Sequence, residues 1–175
     1  MRNRVLMLAT RHIPLTIGIV MIAAAQQLPP MKRVPPAPPQ PIAFSHKRHA
    51  ANGIECQRCH AMPEPGDFAE IAGLDVCMSC HSAIKTDSPA IRKLAELHAQ
   101  GEEILWAPVY LVPDYVFFSH SRHVTKAKAA CGDCHGPVAE RDVLAKERDI
   151  SMAACMDCHR ASGASIDCAY CHEPR

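Results

Sequence analysis

The sequence has few of the aromatic side chains that usually fill a globular core. Aromatic residues make up 5% of the 175 residues, and Trp106 is the single tryptophan. A chain of this length is expected to form one domain, and the shortage is what we expect if another large apolar group fills part of the core. An excess of one charge is also missing. The formal net charge is +1, and there is no basic patch of the kind that binds nucleic acid.

The sequence also lacks an apolar run long enough for an ordinary membrane span. The run from Ile13 to Ala25 has 13 residues and follows three arginines. Because it ends in three alanines before Gln26, we predict that residues 1–25 form a secretory signal peptide; an uncleaved membrane anchor is the alternative. Either option places the remaining chain in the periplasm or another extracytoplasmic compartment, soluble or membrane-tethered.

No cysteine lies outside five copies of Cys-x-x-Cys-His, which use all ten. This is the attachment signature of a c-type haem: both thiols add to the porphyrin, and the histidine ligates the iron. We therefore predict five haem c groups. The predicted thioether residues are Cys56, Cys59, Cys77, Cys80, Cys131, Cys134, Cys155, Cys158, Cys168 and Cys171. The predicted proximal iron ligands are His60, His81, His135, His159 and His172.

Zinc sites and disulfides are the alternatives for these cysteines. The 17 residues between Cys59 and Cys77 and the 20 between Cys134 and Cys155 fit a paired zinc pattern. Five disulfides would also use every cysteine of an exported chain. Neither alternative requires a histidine after every second cysteine, and the fifth copy has no partner pair. The pattern therefore favours haem.

An internal repeat organises the chain after the N-terminal region. Phe-Ser-His-x-Arg-His occurs at 44–49 and again at 118–123, each time shortly before a haem motif. Residues 44–81 and 118–159 are therefore predicted to be two copies of a two-haem module. The fifth motif, at 168–172, follows the second copy.

A proline-rich segment precedes this repeat. Seven prolines lie between residues 28 and 41, and this composition is typical of an extended tether. We predict a Pro-rich linker at 26–43 and a pentahaem cytochrome c domain at 44–175. A disordered N-terminus is the alternative for the linker.

The predicted fold is mainly α-helical and irregular: a small haem-packed multihaem cytochrome c fold with short helices, long loops and little β structure. Ser88 as N-cap, Pro89 in the first turn and Gly101 as a stop predict one helix between them. The other expectations are extended segments over residues 104–118, a short helix from Pro137 to Glu147, and helix caps at Asp75 and Ser151.

Five histidines remain outside the motifs once His12 in the leader is set aside, which equals the number of motifs. We predict that they fill the second axial positions, so that all irons are bis-histidine and six-coordinate. These distal ligands are His46, His49, His98, His120 and His123. His98 stands outside the repeat, so an ordinary polar helix histidine is its alternative role. Histidine in place of methionine predicts low reduction potentials.

Phe-x-His-x-x-His followed by Cys-x-x-Cys-His resembles the class III multihaem cytochromes c, the small tri- and tetrahaem periplasmic carriers, over residues 44–172. In that family the first histidine ligates the haem of the next motif, and the second reaches another haem. The resemblance implies that His46 serves the haem of His60 and that His120 serves the haem of His135. His49 and His123 would each serve a different haem, and His98 would complete one of the others, such as that of His81.

The predicted function is electron transfer between a membrane quinol-linked complex and other redox partners, as a carrier or a subunit of an oxidoreductase complex rather than an enzyme. The pentahaem count with an N-terminal apolar segment is also similar to the cytochrome subunit of the menaquinol-oxidising alternative complex III. Expected partners are redox proteins or membrane oxidoreductase subunits, without nucleic acid. The alternative is a multihaem reductase, which needs one open haem site; the histidine count leaves none.

Overall fold

A computed structural model describes residues 27–173, so the predicted signal peptide or anchor lies outside the described residues. The α-helices of the described part are α1 (His46–Ala50), α2 (Leu74–His81), α3 (Pro89–Gln100), α4 (Cys131–His135), α5 (Met152–Ser162) and α6 (Cys168–His172). Two 3₁₀ turns (Cys56–Arg58 and Val138–Glu140) and a π-helix (Ser121–Lys126) complete them.

Between residues 27 and 173 the chain forms no β-strand, and Pro30 and Arg148 make an isolated antiparallel bridge. Residues 104–118, for which extended segments were predicted, contain neither helix nor strand. The mainly helical and irregular fold class is therefore confirmed. None of the helices described has the length and apolar character needed to cross a membrane.

Few apolar side chains are buried in the part of the chain that the structure describes. Its buried hydrophobic residues are Leu28, Ile42, Leu74, Leu94 and Ala154. Ile42, Leu74 and Leu94 form one cluster, with Trp106 packed against it. This hydrophobic core is small for a chain of this length. Its small size agrees with the low aromatic content of the sequence.

Helix α3 has the ends that its sequence predicts. Ser88 is the N-cap, Pro89 is the first helical residue, and Gly101 ends the helix with a φ of 68°. Glycine adopts this left-handed conformation without a Cβ clash. Leu94 buries the inner face of α3 in the cluster with Leu74 of α2, so local signals and packing agree.

The segment at 27–43, which was predicted to be a linker, contacts other parts of the described chain. The Leu28 amide donates to the Asp133 carbonyl at 2.9 Å. The Gln40 side chain donates to the Ala107 carbonyl at 2.9 Å and accepts from the Ala107 amide at 3.0 Å. Since Leu28 and Ile42 are also buried, residues 27–43 form a packed segment, here called the N-terminal strap.

The prediction of a helix from Pro137 to Glu147 is wrong. Only the 3₁₀ turn Val138–Glu140 forms there, and Arg141 is already extended. The hydroxyl of Tyr110 accepts hydrogen bonds from the amides of Glu147 and Arg148, at 3.0 and 3.1 Å. A partner 37 residues away in the sequence thus takes up these donors, and a local pattern cannot reveal it.

The two predicted helix caps have different outcomes. The Ser151 hydroxyl accepts from the Ala154 amide at 3.3 Å and caps α5, as expected for a serine N-cap. Asp75 does not cap α2, because the N-cap residue is Gly73. Asp75 lies inside the first turn of α2 and binds His98 instead.

Candidate haem-binding sites

Every Cys-x-x-Cys-His motif begins on a short helix or helical turn. The first begins on the 3₁₀ turn Cys56–Arg58, and the other four lie on α2, α4, α5 and α6. In a helix, residues three and four positions apart lie on one face. The two thiols and the histidine of each motif are therefore directed to the same side, as attachment and ligation at one porphyrin require.

Four motif histidines have another histidine ring facing them at a nearly constant distance. The ring-centre separations are 6.3 Å for His46 and His60, 6.1 Å for His49 and His81, 6.4 Å for His120 and His135, and 6.0 Å for His123 and His159. The planes of the first and third pairs are within 6° and 5° of parallel. The second pair is inclined by 74° and the fourth by 34°.

These separations fit an iron atom between two imidazoles. A bond of about 2 Å from each nitrogen to iron, plus about 1.2 Å from each nitrogen to its ring centre, separates the centres by about 6.4 Å. Rings in direct contact are closer: Phe44 stacks on His49 at 4.4 Å. Both ring planes contain the bond axis, so parallel and inclined pairs fit equally well. The residues present therefore suit haem iron.

Backbone carbonyls fix which ring nitrogen is free. The carbonyls of Glu70, Ile84, Ser165 and Tyr115 lie 2.6–3.1 Å from Nδ1 of the motif histidines His60, His81, His159 and His172. Those of Ser45, Asp67 and Ser119 lie 2.8–3.0 Å from Nδ1 of His49, His120 and His123. A carbonyl only accepts, so Nδ1 carries the proton and Nε2 keeps its lone pair for a metal.

Phe44 and Phe118 hold the paired histidines that follow them. Phe44 stacks on His49 at 4.4 Å and meets His46 edge-on at 4.8 Å. Phe118 contacts His123 and His120 in the same way, at 4.5 and 4.9 Å. Both phenylalanines belong to the repeat Phe-Ser-His-x-Arg-His, which by itself predicted no role for them. The sequence feature that could have revealed this role is their constant position, two and five residues before the two histidines of each repeat copy.

Burial keeps two of the facing histidines neutral. Desolvation, followed by the neighbouring His60 and His49, lowers the pKa of His46 from 6.5 to about 4. Desolvation, followed by His120 and His60, also lowers the pKa of His135. The neutral imidazole is the form that ligates a metal, so these side chains need lose no proton to ligate at neutral pH.

The thiols show which motifs are neighbours in space. Burial raises the pKa of four thiols, and a thiol of another motif adds to each of these four shifts. The neighbouring pairs are Cys77 with Cys59, Cys131 with Cys56, Cys134 with Cys158, and Cys155 with Cys171. The motifs thus follow one another in the spatial order second, first, third, fourth and fifth.

His98 and His172 stand apart from the four pairs. Nε2 of His98 lies 2.8 Å from a carboxylate oxygen of Asp75. His172 has the ring of Tyr115 at 5.9 Å and the Tyr115 carbonyl at Nδ1. Across residues 27–173, no other histidine ring is found facing His98 or His172.

Comparison with known proteins supports a haem-binding chain. The sequence model of the family "Cytochrome c7 and related cytochrome c" matches residues 116–173. The sequence model of the "Class III cytochrome C family" matches residues 22–104. The chain is also similar to the "Menaquinone reductase, multiheme cytochrome c subunit" of Nitratidesulfovibrio vulgaris, with 31% identity over 161 aligned residues. That alignment covers 77% of each chain.

Proposed function

The chain belongs to the multihaem c-type cytochromes, and on that premise we propose that it transfers electrons with five covalently attached haem c groups. Haem supplies reversible one-electron chemistry when it is bound. The observation that supports this proposal most is the set of four facing histidine pairs at 6.0–6.4 Å. The chain's own residues attach the porphyrins, orient the ligands and set the burial of each site.

The proposed axial ligands follow from these pairs. His60, His81, His135 and His159 are the proximal ligands, and the distal ligands opposite them are His46, His49, His120 and His123 in the same order. The fifth haem is attached through Cys168 and Cys171, with His172 as proximal ligand. Bis-histidine ligation lowers the reduction potential relative to histidine–methionine ligation, so this set suits a low-potential carrier.

The proposed partners come from the named relative. A chain similar to a menaquinone reductase subunit is suited to a membrane quinone-linked oxidoreductase. We propose that this protein works on the extracytoplasmic side, soluble or tethered through its N-terminal segment. There it exchanges electrons between such a complex and other redox partners, and does not itself catalyse a reaction.

The haem content and axial ligands test this function. Purified holoprotein should gain the mass of five haems, and its oxidised form should show mainly the low-spin electron paramagnetic resonance signals of bis-histidine haem. His123→Ala should convert one haem to a high-spin form. Fewer than five haems, or a mainly high-spin wild type, would contradict the proposal.

A reductase with one open haem site is the second function to consider. The observation that favours it is His172, which has no facing histidine within residues 27–173. An open iron position is necessary for substrate chemistry but not sufficient, because a reductase also needs proton donors beside it. Turnover of small oxyanions by the reduced holoprotein would replace the carrier proposal.

A further inference from the structure

Two histidines of the described residues are left over once the four pairs are formed. Ten histidines lie between residues 27 and 173, and eight of them face each other in pairs. The remaining two are His98 and His172. If all five irons were bis-histidine, His98 would have to reach the haem of His172.

The position of His98 makes this pairing unfavourable. His98 lies in the last turn of α3 and contacts Asp75 in the first turn of α2, two residues before Cys77. His98 is thus held beside the second motif, whose histidine His81 already has the ring of His49 facing it at 6.1 Å. The fifth motif, in contrast, neighbours the fourth, because Cys171 lies beside Cys155.

The ring nitrogens of His98 are also arranged differently from those of the paired histidines. Its Nε2 lies 2.8 Å from Asp75 Oδ1. An ionised carboxylate only accepts hydrogen bonds, so Nε2 carries the proton and has no lone pair for iron. In seven of the other histidines, Nδ1 is instead the nitrogen that lies beside a backbone carbonyl.

His172, in contrast, is arranged like the other proximal histidines. The Tyr115 carbonyl accepts from Nδ1 at 3.1 Å, and the Phe117 amide donates to the Cys171 carbonyl at 2.8 Å, which ties the motif to the preceding loop. The main chain of Tyr115 therefore lies on the Nδ1 side of the ring. Nε2 is directed away from it, so the Tyr115 carbonyl marks the side opposite the iron.

We propose that His172 is the only histidine on its iron, and that the opposite face of this haem binds a small neutral ligand of the carbon monoxide or nitric oxide class. The proposal rests on the proposed function, because it requires a haem at the fifth motif. His98 is then a positioning residue that joins α3 to α2 through Asp75. The fifth motif differs from the other four in having an exchangeable axial position.

Carbon monoxide binding by the dithionite-reduced holoprotein tests the proposal, with the haem content of the same sample measured independently. The expected result is one molecule of carbon monoxide bound for every five haems, together with a high-spin ferric signal of one haem in the oxidised protein. Five haems with no carbon monoxide binding would overturn it. A sample with fewer than five haems would instead contradict the proposed function.

Two variants separate the roles of the histidines. His98→Ala should leave the carbon monoxide stoichiometry and the spin state unchanged. The matched control His123→Ala removes a facing histidine and should raise binding from one to two molecules for every five haems. If His98→Ala itself adds a binding haem, His98 is an iron ligand and the proposal fails. The wild-type and His98→Ala results decide the question even where the control does not fold.

Discussion

At the scale of single residues, each histidine needs a specific nitrogen protonated as well as a suitable position. Ser45 and Ser119 lie four residues before His49 and His123, and their carbonyls accept from Nδ1 at 2.8 Å. This places a proton on Nδ1 and leaves Nε2 available to the iron that we propose. The acceptors are main-chain atoms, so conservative changes of these serine side chains should leave this hydrogen bond in place.

The Phe118→Leu variant tests whether the aromatic ring orients its two histidines. The change removes the contacts at 4.5 Å with His123 and 4.9 Å with His120. Aromatic contacts of this kind contribute about 0.5–1.5 kcal/mol beyond area burial. We expect the holoprotein to lose about 1 kcal/mol of unfolding free energy, with broader low-spin signals for two haems.

The neighbouring Phe117 provides a matched control, because its side chain is 47% exposed. Phe117→Leu should leave the low-spin signals unchanged, since the contact to the fifth motif is made by the Phe117 amide. Equal spectral changes in both variants would mean that the ring of Phe118 has no orienting role.

Tyr110→Phe tests the hydroxyl that replaces helical hydrogen bonds near Glu147. The amides of Glu147 and Arg148 lose their acceptor in this variant. An unsatisfied donor costs about 1–3 kcal/mol where water cannot replace the partner. We therefore expect a lower midpoint in chemical unfolding of the holoprotein. Tyr115→Phe, at a tyrosine that is 65% exposed, should stay within about 0.5 kcal/mol of the wild type.

At the scale of secondary structure elements, local signals were sufficient in some places and not in others. Helix α3 could be predicted because the residues that start and stop it, Ser88, Pro89 and Gly101, lie at its own two ends in the sequence. The segment from Pro137 to Glu147 could not, because Arg141 pairs with Glu147 and Tyr110 contacts it from a distant loop. Neither contact follows the spacing of a helix or a strand, and the contact with Tyr110 spans 37 residues.

The histidine sites show the same division. The repeated offset from Phe44 and Phe118 identified the histidine pairs that face neighbouring motifs, although their role as distal ligands stays a prediction. The environment of His98 depends on a contact with Asp75, 23 residues away on another helix. Counting histidines against motifs could not reveal this contact, because a count contains no geometry.

Ile42→Ala tests whether the N-terminal strap is part of the folded domain. Ile42 is 6% exposed and packs with Leu74 and Leu94. Truncating a buried isoleucine typically costs about 2–5 kcal/mol, so we expect a clear loss of unfolding free energy in urea. Val34, 49% exposed in the same strap, is the control; Val34→Ala should change stability by less than about 0.5 kcal/mol. A neutral Ile42→Ala would mean that the strap is a free linker.

At the scale of the whole molecule, neighbouring motifs connect the two halves of the repeat. The first and third motifs meet through Cys56 and Cys131, which joins the two halves of the repeat. Few side chains are buried within residues 27–173. Porphyrins at interior motifs should therefore contribute more buried apolar surface than a porphyrin at either end.

Removing haems one at a time tests this arrangement. Replacing Cys168 and Cys171 by alanine should remove one haem by mass and lower the thermal midpoint only slightly. Replacing Cys131 and Cys134 should reduce the yield of holoprotein and lower the midpoint strongly, since this motif has neighbours on both sides. Equal effects of the two changes would contradict the proposal that the third motif has more neighbouring porphyrins than the fifth.

The most direct test of electron transfer through histidine-ligated haems is an anaerobic redox titration of the holoprotein, followed by its haem absorbance. Because four irons are proposed to have two imidazole ligands, we predict reversible one-electron steps, with most of the absorbance change at negative potentials. Irreversible changes, or most haems titrating at strongly positive potentials, would contradict bis-histidine ligation and a low-potential carrier.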